Sequence, residues 1–390
     1  MTDTQHHGII RSVFDVNSDL EPRLSLMGIP FLFPQRFLDL RLDRLGRCNL
    51  RCKMCYYRYQ EQPYPVLPVE KWHWIAREFF PRSRSVGFGN CAEPLLDPAL
   101  PELLGKAVEY RVPEIRFITN ATLLDEEKAR LLVNSRVFSV TISMDAASEP
   151  LFSELRCGAK LNQVITNLET LVQVKKSLGS NFPKIQFNFV IMKSNLSHLP
   201  DFIRLVTRFK PSEINAYFAH LETGCPHEEE IIDATHPDFP AVADEAAALA
   251  YEAGLQLHLP YKASGSTTRT SSSLTLKRLI WSMKRISSKL KNHPPSASLS
   301  AFRMCTHFAM FEKGSLCWYP NFMLMIQPDL RMIPCCSWGT DPMGPIEEGM
   351  TFEEIWNLPE MSSLRGSLRT RQNIPPNCVN CMEATSRKVL

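Results

Sequence analysis

Residues 36–56 read RFLDLRLDRLGRCNLRCKMCY. Arg36 to Asp43 make a short β-like run, and directly after it Cys48, Cys52 and Cys55 place three thiols in one loop at spacings of four and three. The C-terminal end of a strand is where barrel folds put their chemistry. Three thiolates from one loop can hold three irons of a [4Fe-4S] cube, leaving the fourth iron open to a chelating molecule. A zinc site is the competing reading, but zinc asks for a closed set of four ligands and this loop offers three.

Working outward, the chain from Arg36 to about His258 alternates β-like runs with helical stretches, the pattern of a parallel sheet wrapped by crossover helices. The strands are expected over Arg36 to Asp43, Ser85 to Gly89, Glu114 to Thr119, Val137 to Ser143, Lys184 to Ile191 and Glu213 to Ala219. Several read as continuous apolar runs suited to burial on both faces. Helices are expected over Val69 to Phe80, Ala99 to Arg111, Asp125 to Asn134, Leu161 to Leu178, Ser197 to Phe209 and Phe239 to Ala253. Six strands predict an α/β fold, a partial (β/α)6 TIM-like barrel, with a small C-terminal cysteine-rich domain. The division that follows is an N-terminal extension over 1–35, the barrel over 36–258, a basic insert over 259–304 and the cysteine-rich domain over 305–390.

Composition sets the outer bounds. The chain has 390 residues, 44 basic against 41 acidic, and 44% hydrophobic content, enough to fill a large core and too balanced for a whole-chain attraction to nucleic acid or membrane. No stretch has the length of a membrane span, and the first residues lack a signal-peptide pattern, so a cytoplasmic protein is expected. In that reducing compartment the twelve cysteines read as metal or redox groups and not as a disulfide framework.

The three-cysteine loop resembles the motif of the radical S-adenosylmethionine (radical SAM) superfamily. That resemblance implies a cluster on Cys48, Cys52 and Cys55 whose open iron is chelated by SAM, and reductive cleavage of SAM to a 5′-deoxyadenosyl radical that abstracts a hydrogen atom. It also implies cofactor contacts from Met54 and Tyr56, which flank the last cysteine. Gly89-Asn90-Cys91-Ala92-Glu93-Pro94 resembles the family's Gly-Gly-Glu-Pro segment, with Asn90 to Ala92 departing from it. An acceptor there suits the methionyl ammonium, and Glu93 could equally fix the loop. Ser143-Met144-Asp145 resembles the family's Ser-x-Asp, which sets Ser143 near the ribose or carboxylate of SAM. Arg156 resembles an arginine that pairs with the SAM carboxylate through its forked donors. Asn188, a polar group within an apolar run, is a further candidate contact.

The last eighty or so residues resemble the auxiliary-cluster region of SPASM and the shorter twitch domains: a hairpin bracketed by cysteines, an Ile-Trp helix, then Cys-x-x-Cys. No cysteine lies between Cys336 and Cys378. The set Cys317, Cys335, Cys378 and Cys381 therefore predicts one fully ligated auxiliary [4Fe-4S] cluster, with Cys336 or Cys305 as alternative ligands; a four-cysteine zinc site is the other reading. A fully ligated cluster suits an electron acceptor, which favours oxidation of a small polar metabolite such as a sugar, aminocyclitol or nucleoside. An epimerase would instead need a hydrogen donor such as Cys225 or Cys157. His220, Glu222 and Cys225, just after the sixth strand, are candidate substrate-facing groups.

From Gly254 to Phe311 there is no Asp or Glu against nine Lys or Arg, and Leu276, Leu279, Ile280, Met283, Ile286 and Leu290 recur at helical spacing. This basic amphipathic helix reads either as a packed insert with a solvated face or as a dock for an acidic peptide or anionic surface. The expected partners are a small-molecule substrate and a reductant such as flavodoxin or ferredoxin. The first 35 residues look too few for a peptide-binding domain, so modification of a ribosomally made peptide is the second reading, and a non-catalytic metal-stabilised binding protein the remote one. Basic residues without interleaved aromatics speak against nucleic acid.

Overall fold

A computed structural model describes residues 36–55, 65–90, 92–219, 227–260, 317, 319–335, 338 and 343–379. The elements in chain order are β1 (Leu38–Leu42), α1 (Val69–Phe79), β2 (Ser83–Phe88), α2 (Leu100–Glu109), β3 (Glu114–Thr119), α3 (Glu126–Asn134) and β4 (Ser139–Ser143). There follow α4 (Glu149–Leu155), α5 (Leu161–Ser177), β5 (Lys184–Ile191), α6 (Leu199–Thr207), β6 (Glu213–Phe218), α7 (Phe239–Glu252) and β7 (Leu257–His258). The chain closes with β8 (Met323–Ile326), β9 (Arg331–Ile333), β10 (Met343–Pro345), α8 (Phe352–Trp356) and α9 (Pro359–Thr370).

All six expected strands and all six expected helices are present, with ends displaced by a residue or two. The short helix α4 escapes the sequence reading because seven residues give too little periodicity to register. The described strands form one open sheet of ten, in the order β10-β9-β8-β1-β2-β3-β4-β5-β6-β7. From β1 to β7 each strand runs parallel to its neighbour, as crossover helices require. On the other side β8 lies parallel to β1, with β9 and β10 antiparallel beyond it. The sheet thus extends past the six strands expected, into the C-terminal segment.

The description divides into two units: residues 38–260 with 323–361, and residues 36–37, 317–322 and 362–379. In the smaller unit Arg365 Nε donates to the carbonyl of Pro320 at 2.8 Å.

The strands depart from the expectation of burial on both faces. They alternate, and the two faces differ in kind. Leu38, Leu40, Leu42, Val86, Phe117, Ile142, Phe187, Phe189 and Ile214 are buried and point to the helix-covered face. The Phe187 and Phe189 rings meet Phe202 of α6 at 5.9 and 4.8 Å, and Phe218 meets Phe239 of α7 at 4.9 Å. From β1 to β6 the opposite, inner face is mostly polar, with Ile118 and Val190 as apolar exceptions. At its base Arg41 donates to Asp39 at 3.0 Å, Ser85 donates to the same carboxylate at 2.8 Å, and Arg84 and Arg116 both hold Glu114. A Cβ on Gly87 would stand 2.8 Å from the Arg41 side chain, so glycine there is what lets Arg41 cross the face. Such a lined interior suits a barrel that holds a polar ligand and not one packed solid.

Candidate functional site

The loop after β1 is fastened by backbone on both sides. Arg51 and Lys53 N–H groups donate to the carbonyls of Cys157 and Leu155 at 3.0 and 2.8 Å, tying it to the turn after α4, and Glu93 N–H donates to the Arg47 carbonyl at 3.1 Å. Arg44 adds a forked pair to Asp97 at 2.7 and 2.5 Å. Cys52 is buried, with Cys48 and Cys55 half-buried.

Each of two cysteines has polar company. Leu50 N–H and Asn120 Nδ2 donate to Cys48 Sγ at 3.4 and 3.7 Å. Asn120 also donates to Asn49 at 3.0 Å, and Asn49 to Thr122 at 2.9 Å, so the residues after β3 hold the first turn of the cysteine loop. Arg156 Nη1 lies 3.8 Å from Cys52 Sγ. Burial pushes the Cys52 thiol up to about 12, and raises Cys48 as well. Such thiols give up their protons to a metal and not to water.

Gly89 takes φ +87°, and a Cβ there would fall 2.0 Å from the Ile118 carbonyl oxygen. Asp43, at the end of β1, accepts from the Gly89 and Asn90 N–H groups at 2.6 and 2.9 Å. Glu93 is 1% exposed. Its carboxylate accepts from Leu95 N–H, Thr119 Oγ1 and Asn120 N–H at 3.1, 2.7 and 2.8 Å. Through these contacts it fixes the loop to the end of β3. Burial first, and Asp43 with it, raises Glu93 to about 7 despite those donors.

The fork of Arg156 is likewise engaged within the protein. Nε and Nη2 both reach Asp145 Oδ2 at 2.6 Å, while Asp145 Oδ1 accepts from Val190 N–H at 2.7 Å. Within the protein its forked donors meet Asp145. Burial opposes the guanidinium charge, but Asp145 and Cys52 hold it above its usual range. Ser143 and Asn188 are half-buried partners in register on β4 and β5. Met54 is half-buried in the cysteine loop.

Asp43, Asn120, Lys53 and Glu230 were missed by sequence reasoning, and Asp145 was quoted in Ser-x-Asp without a role. Asn120 and Asp145 each follow a strand end, the signal that could have raised them. Tyr56, His220, Glu222, Cys225, Cys305, Cys336, Cys381 and the basic helix lie outside the described residues. Cys317 and Cys378 belong to the smaller unit and Cys335 to the larger. Cys157 Sγ donates to the Glu154 carbonyl at 3.1 Å. Among the described residues no three His, Cys, Asp or Glu side chains are already gathered as a closed metal group, and no helix is long and apolar enough to cross a membrane.

Residues 44–206 match the family model of the radical SAM superfamily, and residues 317–382 match SPASM, an iron-sulfur cluster-binding domain. The chain carries a radical SAM domain and, C-terminal to it, a SPASM domain. Its curated relatives include the cofactor-modifying protein of a tungsten-containing aldehyde ferredoxin oxidoreductase from Pyrococcus furiosus, 28% identical over 171 residues, which are 42% of this chain and 47% of the relative. A probable GTP 3',8-cyclase of Methanococcus maripaludis is 26% identical over 206 residues, covering 50% of this chain and 65% of the relative. The chain thus spans between about half and just under two thirds of these relatives.

Among solved structures, Streptococcus suis SuiB bound to S-adenosylmethionine shares the fold with a TM-score of 0.59 at 16% identity, over 84% of this chain and 67% of SuiB. The enzyme anSMEcpe with bound AdoMet and the Cp18Cys peptide gives 0.54 at 15% identity, over 84% and 82%. A radical SAM domain followed by SPASM implies a SAM-binding [4Fe-4S] cluster and an auxiliary cluster. The donor set on the β1 loop fits the first: three soft thiolates, the most buried of them beside a guanidinium that favours its anionic form.

Proposed function

We propose that this radical SAM enzyme oxidises a small polar metabolite, such as a sugar, aminocyclitol or nucleoside. Cys48, Cys52 and Cys55 would hold the SAM cluster, and Cys317, Cys335, Cys378 and Cys381 the auxiliary one. The observation that carries this reading is the three-thiol loop standing at the mouth of a sheet whose free face is mostly polar from β1 to β6. When bound, the first cluster supplies the electron that splits the SAM sulfonium, and the radical released removes hydrogen from the substrate.

The chain's own groups divide the remaining work. The backbone of Gly89 and Asn90, held by Asp43, offers close approach for the methionyl group. Ser143 and Asn188 offer a hydroxyl and an amide to the ribose. Once the substrate carbon has lost a hydrogen atom, loss of one proton and one electron completes a carbonyl or imine. A base, for which the sequence offers His220 and Glu222, would take the proton, and the auxiliary cluster would supply an acceptor for the electron. A flavodoxin or ferredoxin would supply the initial electron, and the reduced thiols suit the cytoplasm.

The test is release of 5′-deoxyadenosine by anaerobically reconstituted enzyme under strong reduction. Acceleration by a sugar, aminocyclitol or nucleoside, with a stoichiometric carbonyl or imine product, supports the reading. Acceleration by peptides alone overturns it in favour of peptide modification. That second reading draws on the acid-free basic segment from Gly254 to Phe311 and on SuiB and anSMEcpe, both solved with peptides.

A further inference from the structure

On the inner face of the sheet, two adjacent rows of side chains differ in one respect. The lower row is closed. Thr141 donates to Gln186 at 3.0 Å, Gln186 donates to Glu213 at 3.0 Å, and His258 stands 3.0 Å from the other oxygen of Glu213. The upper row is one step nearer the strand C-termini, the end that carries the cysteine loop. It consists of Ser143, Asn188 and Asn215, direct neighbours in register across β4, β5 and β6. All three are half-buried. Among the described residues none of these three side chains has a hydrogen-bond partner, whereas the row beneath is fully paired.

Asparagine is a poor strand residue, because its short amide competes for backbone hydrogen bonds, and two of them side by side in strand interiors are costly for stability. A structural role would have bonded them, as it bonds Thr141, Gln186 and Glu213. Left open on a polar wall, each amide presents one acceptor and two donors, and the row spaces such groups by roughly 4.8 Å from strand to strand. Tyr217, two residues beyond Asn215 on the same face, is 41% exposed and lies close enough to Arg156 to influence its charge. The row therefore leads from the cluster side at Ser143 to an open aromatic ring on β6.

We infer that Asn215 and Tyr217, which continue the row beyond Ser143 and Asn188, form the substrate shelf of this enzyme, and that the substrate meets it through neighbouring hydroxyl groups of a sugar, cyclitol or nucleoside. Hydroxyls both donate and accept, which matches paired amides, and a sugar-like ring has the flat apolar face that an exposed tyrosine ring accepts. Ser143 begins the row on the SAM side, and Asn215 carries it into substrate space. The inference rests on the oxidative reading above and adds the side chains that would recognise the substrate.

The experiment screens free sugars, cyclitols, nucleosides, aliphatic carboxylic acids and short peptides for acceleration of 5′-deoxyadenosine release. KM and kcat are then measured on the compound that accelerates most, for wild type, Asn215→Leu and Asn215→Gln, with thermal unfolding of each as a check on folding. The expected result is a hydroxylated compound whose KM rises about tenfold in Asn215→Leu with kcat within about twofold, and recovers in Asn215→Gln. A hydroxylated substrate with unchanged KM in a folded Asn215→Leu removes the shelf and leaves the oxidative reading standing. A carboxylic acid lacking hydroxyls as substrate does the same. Acceleration by peptides only, or by none of these compounds, overturns both.

Discussion

Arg156 places two of its nitrogens, Nε and Nη2, on one oxygen of Asp145 at 2.6 Å and turns the third toward the sulfur of Cys52 at 3.8 Å. Asp145 is fully buried and Arg156 nearly so; the first follows the end of β4 and the second caps α4. The carboxylate aims the guanidinium at the sulfur, and its own second oxygen is anchored on Val190 N–H. A cation held against a ligand sulfur stabilises the more negative, reduced form of a cluster.

Replacing Arg156 by Met is therefore expected to shift the midpoint potential of the Cys48, Cys52, Cys55 cluster to more negative values, while Arg156→Lys, which keeps the charge, stays closer to wild type. Redox titration followed by electron paramagnetic resonance reads this directly, with the auxiliary cluster as internal control. Equal midpoints for Met and wild type would show that the contact has no electrostatic role.

Gly89→Ala addresses the turn after β2. The φ of +87° alone costs a non-glycine residue on the order of 1–3 kcal/mol. The Cβ would also collide with backbone, the Ile118 carbonyl, at 2.0 Å, and a neighbouring strand end cannot rotate away as a side chain could. The expected outcome is a fall in the thermal midpoint and loss of the Asp43 contacts to Gly89 and Asn90, seen as weaker SAM binding. A variant with wild-type unfolding and SAM affinity would mean that this turn relaxes freely.

What the sequence discloses follows from the range of the interactions concerned. Glu114–Thr119 and Lys184–Ile191 have the bounds that period and flanking residues predict, because those signals are local. The cysteine loop is legible for the same reason. Asp145 and Arg156 lie eleven residues apart, yet which of them meets Cys52 depends on the turn after α4 folding back over the β1 loop. The pairing of Met323–Ile326 with Leu38–Leu42 brings together segments some 280 residues apart that carry no mutual mark in the sequence. The polar inner face was written in each strand, as in Lys-Ile-Gln-Phe-Asn-Phe, but an expectation of double-sided burial read the apolar members and passed over the alternation.

Glu93 supplies a pH dependence with a definite sign. Burial raises its folded-state value from the ordinary 4.5 to about 7, so the folded protein binds the proton more tightly than the unfolded chain. Its contribution is most favourable below pH 4.5, declines as pH rises from there to 7, and is constant above. Across that window wild type should lose on the order of 3 kcal/mol relative to Glu93→Gln, which does not titrate. The difference in thermal midpoint between the two proteins, measured anaerobically from pH 5 to 8, checks it. Parallel curves would place Glu93 at its ordinary value, ionised and stabilised by Leu95, Thr119 and Asn120.

Lys53 closes the list, since it joins the cysteine loop to a distant part of the barrel. Its ammonium lies 2.6 Å from Glu230, whose other oxygen accepts from Ser194 N–H at 3.0 Å. Both side chains are largely shielded, 20% and 10% exposed, so the pair is worth more than a surface ion pair. Lys53→Met would leave the Glu230 carboxylate shielded without its cation, a loss of about 2 kcal/mol. The Glu230 carboxyl, held below its usual range by Lys53 against the opposing effect of burial, would lose that depression. The stabilisation it gives is present above its ordinary value and fades as pH falls, so the variant and wild type should converge in acid. Unfolding at pH 8 and at pH 4, together with iron retained after gel filtration, tests the point. A constant gap at both pH values would mean that Lys53 acts through its methylene stem and not its charge.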